Sequence, residues 1–426
     1  MRPLFIPVCA AALTIASAAA ADTLAIINAT AHTITDRGVL EGATIIIDDE
    51  QIAAVGVDLD VPADALVIDA GGRPVTPGLM NVVSKIGLLE VGQVSAANDY
   101  SLSGAPFSAA FDVTAGINPD SVLIPITRVD GVTRAVTVPS IRGEVFAGFG
   151  AVVHLGLDDD LVVEEKAAQY TAFGGRAADA AGGARGALAV FIRQAFDDAE
   201  HYDKNRRDFE QNRTRPYVLH HLDLEALLLV LNDEVPLVVD VNRASDMRVL
   251  MDIADDYGIR MIFNSAREAW KVADDLADMD ISVIIDPSNN LPTSFDNIYA
   301  TQDNARLLHE AGVKFAIATT SFNDVNNPRN VTQIAGIGVA NGLPFDAALR
   351  AITRSPAEMF GIADDYGTLE EGKDADVVIW EGDPLEVTTL PTHVIIKGDL
   401  IPMDSRQLRL RDRYKDLGDD TPIQYR

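Results

Sequence analysis

Between residues 78 and 365 short apolar runs alternate with helical patterns, and this alternation limits the fold more than any other feature of the chain. Seven runs read as strands: LMNVVSKI (79–86), VTRAVTVP (132–139), AVVHLG (151–156), PLVVDVN (236–242), RMIFNS (260–265), SVIIDP (282–287) and KFAIATT (314–320). Helical patterns fall at 225–232, 245–258 and 266–279. Strands that alternate with helices argue for a parallel sheet. A chain of 426 residues, 48% hydrophobic, is long enough to bury the core of an α/β barrel as one domain. Such a barrel takes eight strands, and the pattern leaves the eighth unplaced.

The two ends of the chain read differently. TLAIINATAHTI (23–34), ATIIIDDEQIAAVG (43–56) and ALVIDAGGRPVTPG (65–78) are β-rich runs broken by turn residues, and ADVVIWEG (375–382) and HVIIKGDLI (393–401) match them late in the chain. Both ends are therefore expected to build one composite β-sandwich, in parts 22–77 and 366–403, interrupted by a barrel over 78–365. The stretch 181–215 is polar and reads as an exposed helix or a lid over the barrel mouth. Residues 404–426 form a locally basic tail.

Residues 1–21 have the make-up of an export signal: Arg2, an apolar run from Leu4 to Ile15, and small residues up to Ala21. A periplasmic or secreted protein is the expectation, with no transmembrane segment in the mature chain. The single cysteine, Cys9, lies inside that segment, which excludes thiolate zinc ligands and a cysteine nucleophile from the mature chain. A net charge of −30 repels phosphate backbones and argues against nucleic-acid binding.

GTLEEGKDADVVIWEGDP (367–384) resembles the closing segment of the amidohydrolase superfamily, in particular its imidazolonepropionase-like branch. VNRASDM (241–247), NLPTSFD (290–296) and GLPFDAALRAITRSPAEMFGI (342–362) resemble the same branch. The resemblance spans about residues 23–397. It implies a (β/α)8 TIM barrel with the β-sandwich beside it. The implied reaction is hydrolysis of a carbon–nitrogen bond other than a peptide bond, by a zinc-bound hydroxide with an aspartate shuttling the proton.

The residues that would hold that zinc have changed. In PGLMNVVSKIGL (77–88) the two histidine positions of the resembled motif PGLIDAHTHLGL hold Val83 and Lys85. Later ligand positions carry Asp240, Asn264 and Thr320, with Asp324 the nearest carboxylate to the last. Neither a valine methyl nor a lysine ammonium has a lone pair to give, so no metal ligand is assigned and no cofactor is expected. His154 ends a strand candidate and is the histidine expected at the barrel mouth. Lys85 and Asp240 are expected to face each other there within about 4 Å, either as a catalytic pair or as an ion pair filling the place of the metal. Two functions follow. One is a metal-free hydrolase using Lys85 and Asp240 on a small amide or cyclic amide. The other is a non-catalytic subunit or small-molecule-binding protein, forming a homo-oligomer or a hetero-oligomer with an amidohydrolase relative.

Overall fold

The computed structural model describes residues 23–92, 94–140, 143–289, 291–320 and 327–415. The leader-like segment and Asp324 lie outside the described residues.

Sixteen strands form two eight-stranded sheets among the described residues. The first takes β1 (Thr23–His32), β2 (Val39–Asp48), β3 (Gln51–Val57), β4 (Leu66–Asp69) and β5 (Pro74–Pro77) from the start of the chain. It adds β14 (Val377–Trp380), β15 (Pro391–Ile396) and β16 (Asp399–Leu400) from the end. The order is β16-β15-β14-β5-β1-β2-β3, with β4 against β1. Alternation along β1, β2 and β14 turns Ile26, Ile45, Ile47, Val377 and Ile379 into a core belonging to this sheet alone.

The second sheet is the barrel: β6 (Leu79–Ser84), β7 (Val132–Thr137), β8 (Phe146–His154), β9 (Val162–Ala172), β10 (Leu237–Val241), β11 (Met261–Ser265), β12 (Ser282–Ile285) and β13 (Phe315–Ile317), hydrogen-bonded in chain order. Its interior is small and β-branched, with Val136, Val152, Ala168, Val238, Ile262, Ile284 and Ala316 packed together. A second apolar layer lies between the strands and the helices outside them.

Two features depart from the alternating pattern. β8 pairs antiparallel with both β7 and β9, so that seven strands run one way and one runs back. Short connections suffice there, whereas a parallel neighbour would need a crossover. The strand that the pattern left unplaced is β9, whose first half, Val162 to Lys166, carries two glutamates and a lysine and projects partly into solvent. The polar stretch after it is no lid. Helix Arg185–Lys204 buries Leu188, Ile192, Ala195, Phe196, Ala199 and Tyr202, spaced three and four apart, against helix His221–Leu231. Apart from the buried Asp198, which bonds Arg215 and Val218 N, its charged residues lie toward the solvent face of an amphipathic barrel helix.

The closing segment is held by charge as well as by strands. On β7, Arg134 is 1% exposed, and its Nε donates to Asp376 Oδ2 at 3.1 Å while Nη2 bonds Asp374. Its guanidinium lies 4.7 Å from the Tyr366 ring centroid. Burial works against that charge, but the two carboxylates outweigh it and hold the guanidinium protonated. Both aspartates belong to the stretch Gly372 to Asp376 of the closing segment, so that segment docks the sheet on the barrel. No helix among the described residues is long and apolar enough to cross a membrane.

Candidate active site at the barrel mouth

Alternation along the parallel strands turns the same set of residues inward that fills the barrel, and the last inward residue of each strand reaches the mouth. On β10 and β11 these are Asp240 and Asn264, paired across the strands in register. One layer below, Tyr170 of β9 stands beside Val238. Val83 lies near the end of β6 and Lys85 just past it, and after β13 comes Thr320. Together they line a cavity of about 850 Å³ at the carboxyl ends of the parallel strands.

Lys85 is 4% exposed and does not pair with Asp240. Its Nζ donates to Val138 O and, at 2.9 Å, to Pro139 O, and lies 5.0 Å from the Tyr100 ring centroid. The expected ion pair within about 4 Å is thus corrected. A register shift between Asn81 and Ser84 carries the chain toward the end of β7, and the ammonium lodges on the carbonyls there. Asp240 has other partners, Ser265 by hydrogen bond and Arg267 by charge. The surrounding protein raises its carboxyl pKa, and those two groups oppose the rise. Solvent in the cavity still reaches Asp240, so the push is weaker than in a sealed core.

The backbone that presents Asn264 and Ser265 is strained. Ser265 and Ala266 have φ of +68° and +38°, a region L-residues avoid, at about 1–3 kcal/mol each. Ala266 N bonds both Val241 O and Asn264 O at 2.9 Å, which holds the tight turn.

His154 is elsewhere. Because β8 runs against its neighbours, its last residue pairs with Arg134 near the start of β7, at the end of the barrel away from the cavity. There its Nε2 lies 2.7 Å from Asp160 O and its Nδ1 accepts from Gly156 N at 3.1 Å. This corrects its expected place at the mouth.

A zinc ion does not fit this donor set. Val83 has no lone pair, and the Lys85 ammonium donates to carbonyls. Thr320 N and Oγ1 donate to Asp286 Oδ2 at 3.1 and 3.3 Å. The Asp286 oxygens are further occupied by Ser288 and Asn289. Among the described residues, no three His, Cys, Asp or Glu side chains converge as a metal site. A closed zinc site needs about four such ligands.

Sequence reasoning missed Tyr170, Asn242 and the rim. Tyr170 becomes visible only once β9 is read as a strand. At the rim Arg185 Nε bonds Asp246 Oδ2 at 2.8 Å and its Nη2 bonds Asp296, whose Oδ2 accepts from Gly175 N at 3.0 Å. One guanidinium thus ties the start of helix Arg185–Lys204 to helix Ala244–Tyr257 and to the loop that carries Asp296.

The comparisons agree with this architecture. A model of the amidohydrolase family matches residues 193–401. Amidohydrolase tasK of Hapsidospora irregularis is 25% identical over 374 residues, 80% of this chain, but the chain spans only 37% of that protein's length. The imidazolonepropionase of Brucella anthropi is 24% identical over 360 residues, covering 81% of this chain and 88% of its own. The crystal structure of an amidohydrolase from Thermotoga maritima superposes with a TM-score of 0.78 at 24% identity, covering 89% of this chain and 99% of that one, which establishes the shared fold. The barrel, the closing segment and the family match over residues 193–401 together support the amidohydrolase superfamily for this chain.

Proposed function

We propose that this is an exported member of the superfamily whose barrel mouth works as a metal-free site for a small nitrogen compound of the amide or cyclic amide class, as a binding protein or as a subunit beside a metal-competent relative. The observation that carries the reading is Lys85. Where the resemblance places a metal-ligating imidazole, a buried ammonium is lodged on the Val138 and Pro139 carbonyls. An ammonium has no lone pair to give, so a metal finds no ligand at that position. The cavity has a size and position suited to a small molecule, with Val83, Val138 and Val238 among its apolar lining and Asp240, Asn242 and Asn264 among its polar groups. Export rests on the make-up of residues 1–21. Calorimetric titration of the chelator-treated protein with a panel of small amides and lactams tests the reading. Saturable binding without turnover is the expected result, and chelator-sensitive hydrolysis of the same panel would overturn it.

One observation favours a second reading, hydrolysis of a carbon–nitrogen bond without a metal. Asp240 reaches the cavity with a raised carboxyl pKa, which makes its carboxylate a better general base than an ordinary aspartate. In that case Asp240 would take a proton from water as it attacks the substrate carbonyl and give it to the leaving nitrogen as the carbon–nitrogen bond breaks. Turnover that survives chelation and is lost in Asp240→Asn would select this reading over the first.

A further inference from the structure

The unfilled hydrogen-bonding capacity of the cavity is mostly that of acceptors. Tyr170 Oη, Asn242 Oδ1 and Asn264 Oδ1 belong to residues that line it, are shielded from water, and have no hydrogen-bond partner among the described residues. Two are amide oxygens, which only accept, and the third is a phenol oxygen with lone pairs to offer. Buried polar atoms of a native protein are nearly always paired, and three orphans around one cavity mark a place where a ligand supplies the partners. Tyr170 is 8% exposed, so its phenol is fixed in the wall. Next to Asn264 in register stands the carboxylate of Asp240.

Charge points the same way. Five carboxylates line the cavity against two cations, Lys85 and Arg176. Arg185 bonds both Asp246 and Asp296 at the rim and offsets one of their two charges, and of the other three carboxylates Asp240 has the charge of Arg267 near it. Lys85 is turned to the Val138 and Pro139 carbonyls just past β7, and Arg176 is exposed at the edge. Around all of this lies a chain of net charge −30, whose field draws cations in and holds anions off.

We propose that the cavity binds an organic cation rich in N–H groups, an amidinium, guanidinium or primary ammonium head, with its donors on Asp240, Asn242 and Asn264 and the Tyr170 phenol oxygen. The proposal rests on the reading of the mouth as a metal-free site for a small nitrogen compound and puts a cationic head in place of the neutral amide as its preferred ligand. Hydrogen bonds from a cation to an ionised carboxylate are roughly twice as strong as neutral ones. A neutral amide of the same shape brings fewer donors and no charge, and a carboxylate meets Asp240 with like charge.

Benzamidine, benzamide and benzoate share one shape and differ in charge, so calorimetric titration of the purified, chelator-treated protein with each, in moderate salt, tests the idea. Benzamidine should bind at least tenfold tighter than benzamide, and benzoate should not bind. Asp240→Asn should weaken benzamidine at least tenfold and leave benzamide little changed. Asn264→Leu, which removes an orphan acceptor without touching the charge, should also weaken benzamidine and stands in if the first variant does not fold. Benzamide binding as tightly as benzamidine, or any binding of benzoate, would overturn the cation and leave the metal-free site standing. So would benzamidine binding that neither variant changes, because that is attraction to the acidic surface alone. If none of the three binds while the amide panel does, the cation falls by itself; if neither set binds, both readings fall.

Discussion

Arg134 of the barrel and Asp376 of the closing segment are each 1% exposed and meet at 3.1 Å, 242 residues apart in the chain. Asp376 also accepts from Lys397 N at 2.9 Å, so a single carboxylate joins β7 to the turn after β15. A buried pair of this kind is costly to break from one side, because the remaining charge stays desolvated. Arg134→Met is therefore expected to destabilise the fold by about 3–5 kcal/mol. Replacing Arg134, Asp374 and Asp376 together by apolar residues should cost less than the single change. Urea unfolding followed by circular dichroism measures both, and a single variant as stable as the parent would refute the pin.

Zinc content gives the most direct check of the strand-end residues. Val83, Lys85, Asn264 and Thr320 offer no set of ligands that a zinc ion could share with Asp240, so the protein should purify without stoichiometric zinc. Elemental analysis finding about one zinc per chain, bound near Asp240, would contradict this.

Asp240 should also leave a mark on stability against pH. Its folded pKa lies above its ordinary value of 3.8, so the folded state holds this proton more tightly than the unfolded chain does. Its contribution is then most favourable below the unfolded pKa and is lost as pH rises through the folded value. Asp240→Asn, which removes the ionisable group, should be more stable than the parent at neutral pH, with the gap closing on acidification. Thermal melts across pH 3 to 8 would show it. A parent that gains on the variant as pH rises would reverse the sign and sink the claim.

Gly148 carries the one antiparallel barrel strand past a neighbouring loop. Its φ is +105°, and a Cβ there would lie 2.3 Å from Phe111 O. That carbonyl already accepts from Phe149 N at 2.7 Å, so it cannot withdraw without losing a bond. Gly148→Ala should destabilise by at least about 1–3 kcal/mol from backbone strain alone, and by more from the clash. Chemical denaturation is the measurement, and a neutral substitution would show that the loop yields.

Much of the barrel was legible because burial imposes periodicity on local sequence. The runs at 236–242, 260–265, 282–287 and 314–320 hold β10 to β13, buried on both faces as parallel strands are. β9 escaped because its charged first half breaks the apolar pattern, and helix Arg185–Lys204 was misread because a mean polarity hides a buried stripe. Val83, Lys85, Asp240, Asn264 and Thr320 could be placed at the cavity because alternation and strand ends are local properties. Their partners could not.

By itself the sequence carried the likeness to the superfamily, seven of the eight barrel strands and the residue types at the strand ends, since each is written in residue types at fixed spacing. Tertiary structure alone decided that Lys85 turns to the Val138 and Pro139 carbonyls instead of Asp240, because a bulge between β6 and β7 redirects the chain there. It also sent His154 to the far end of the barrel, because strand direction is set by pairing with neighbours and not by the strand's own residues. Hydrogen bonds and ion pairs join residues brought together by packing, and spacing along the chain carries no record of them.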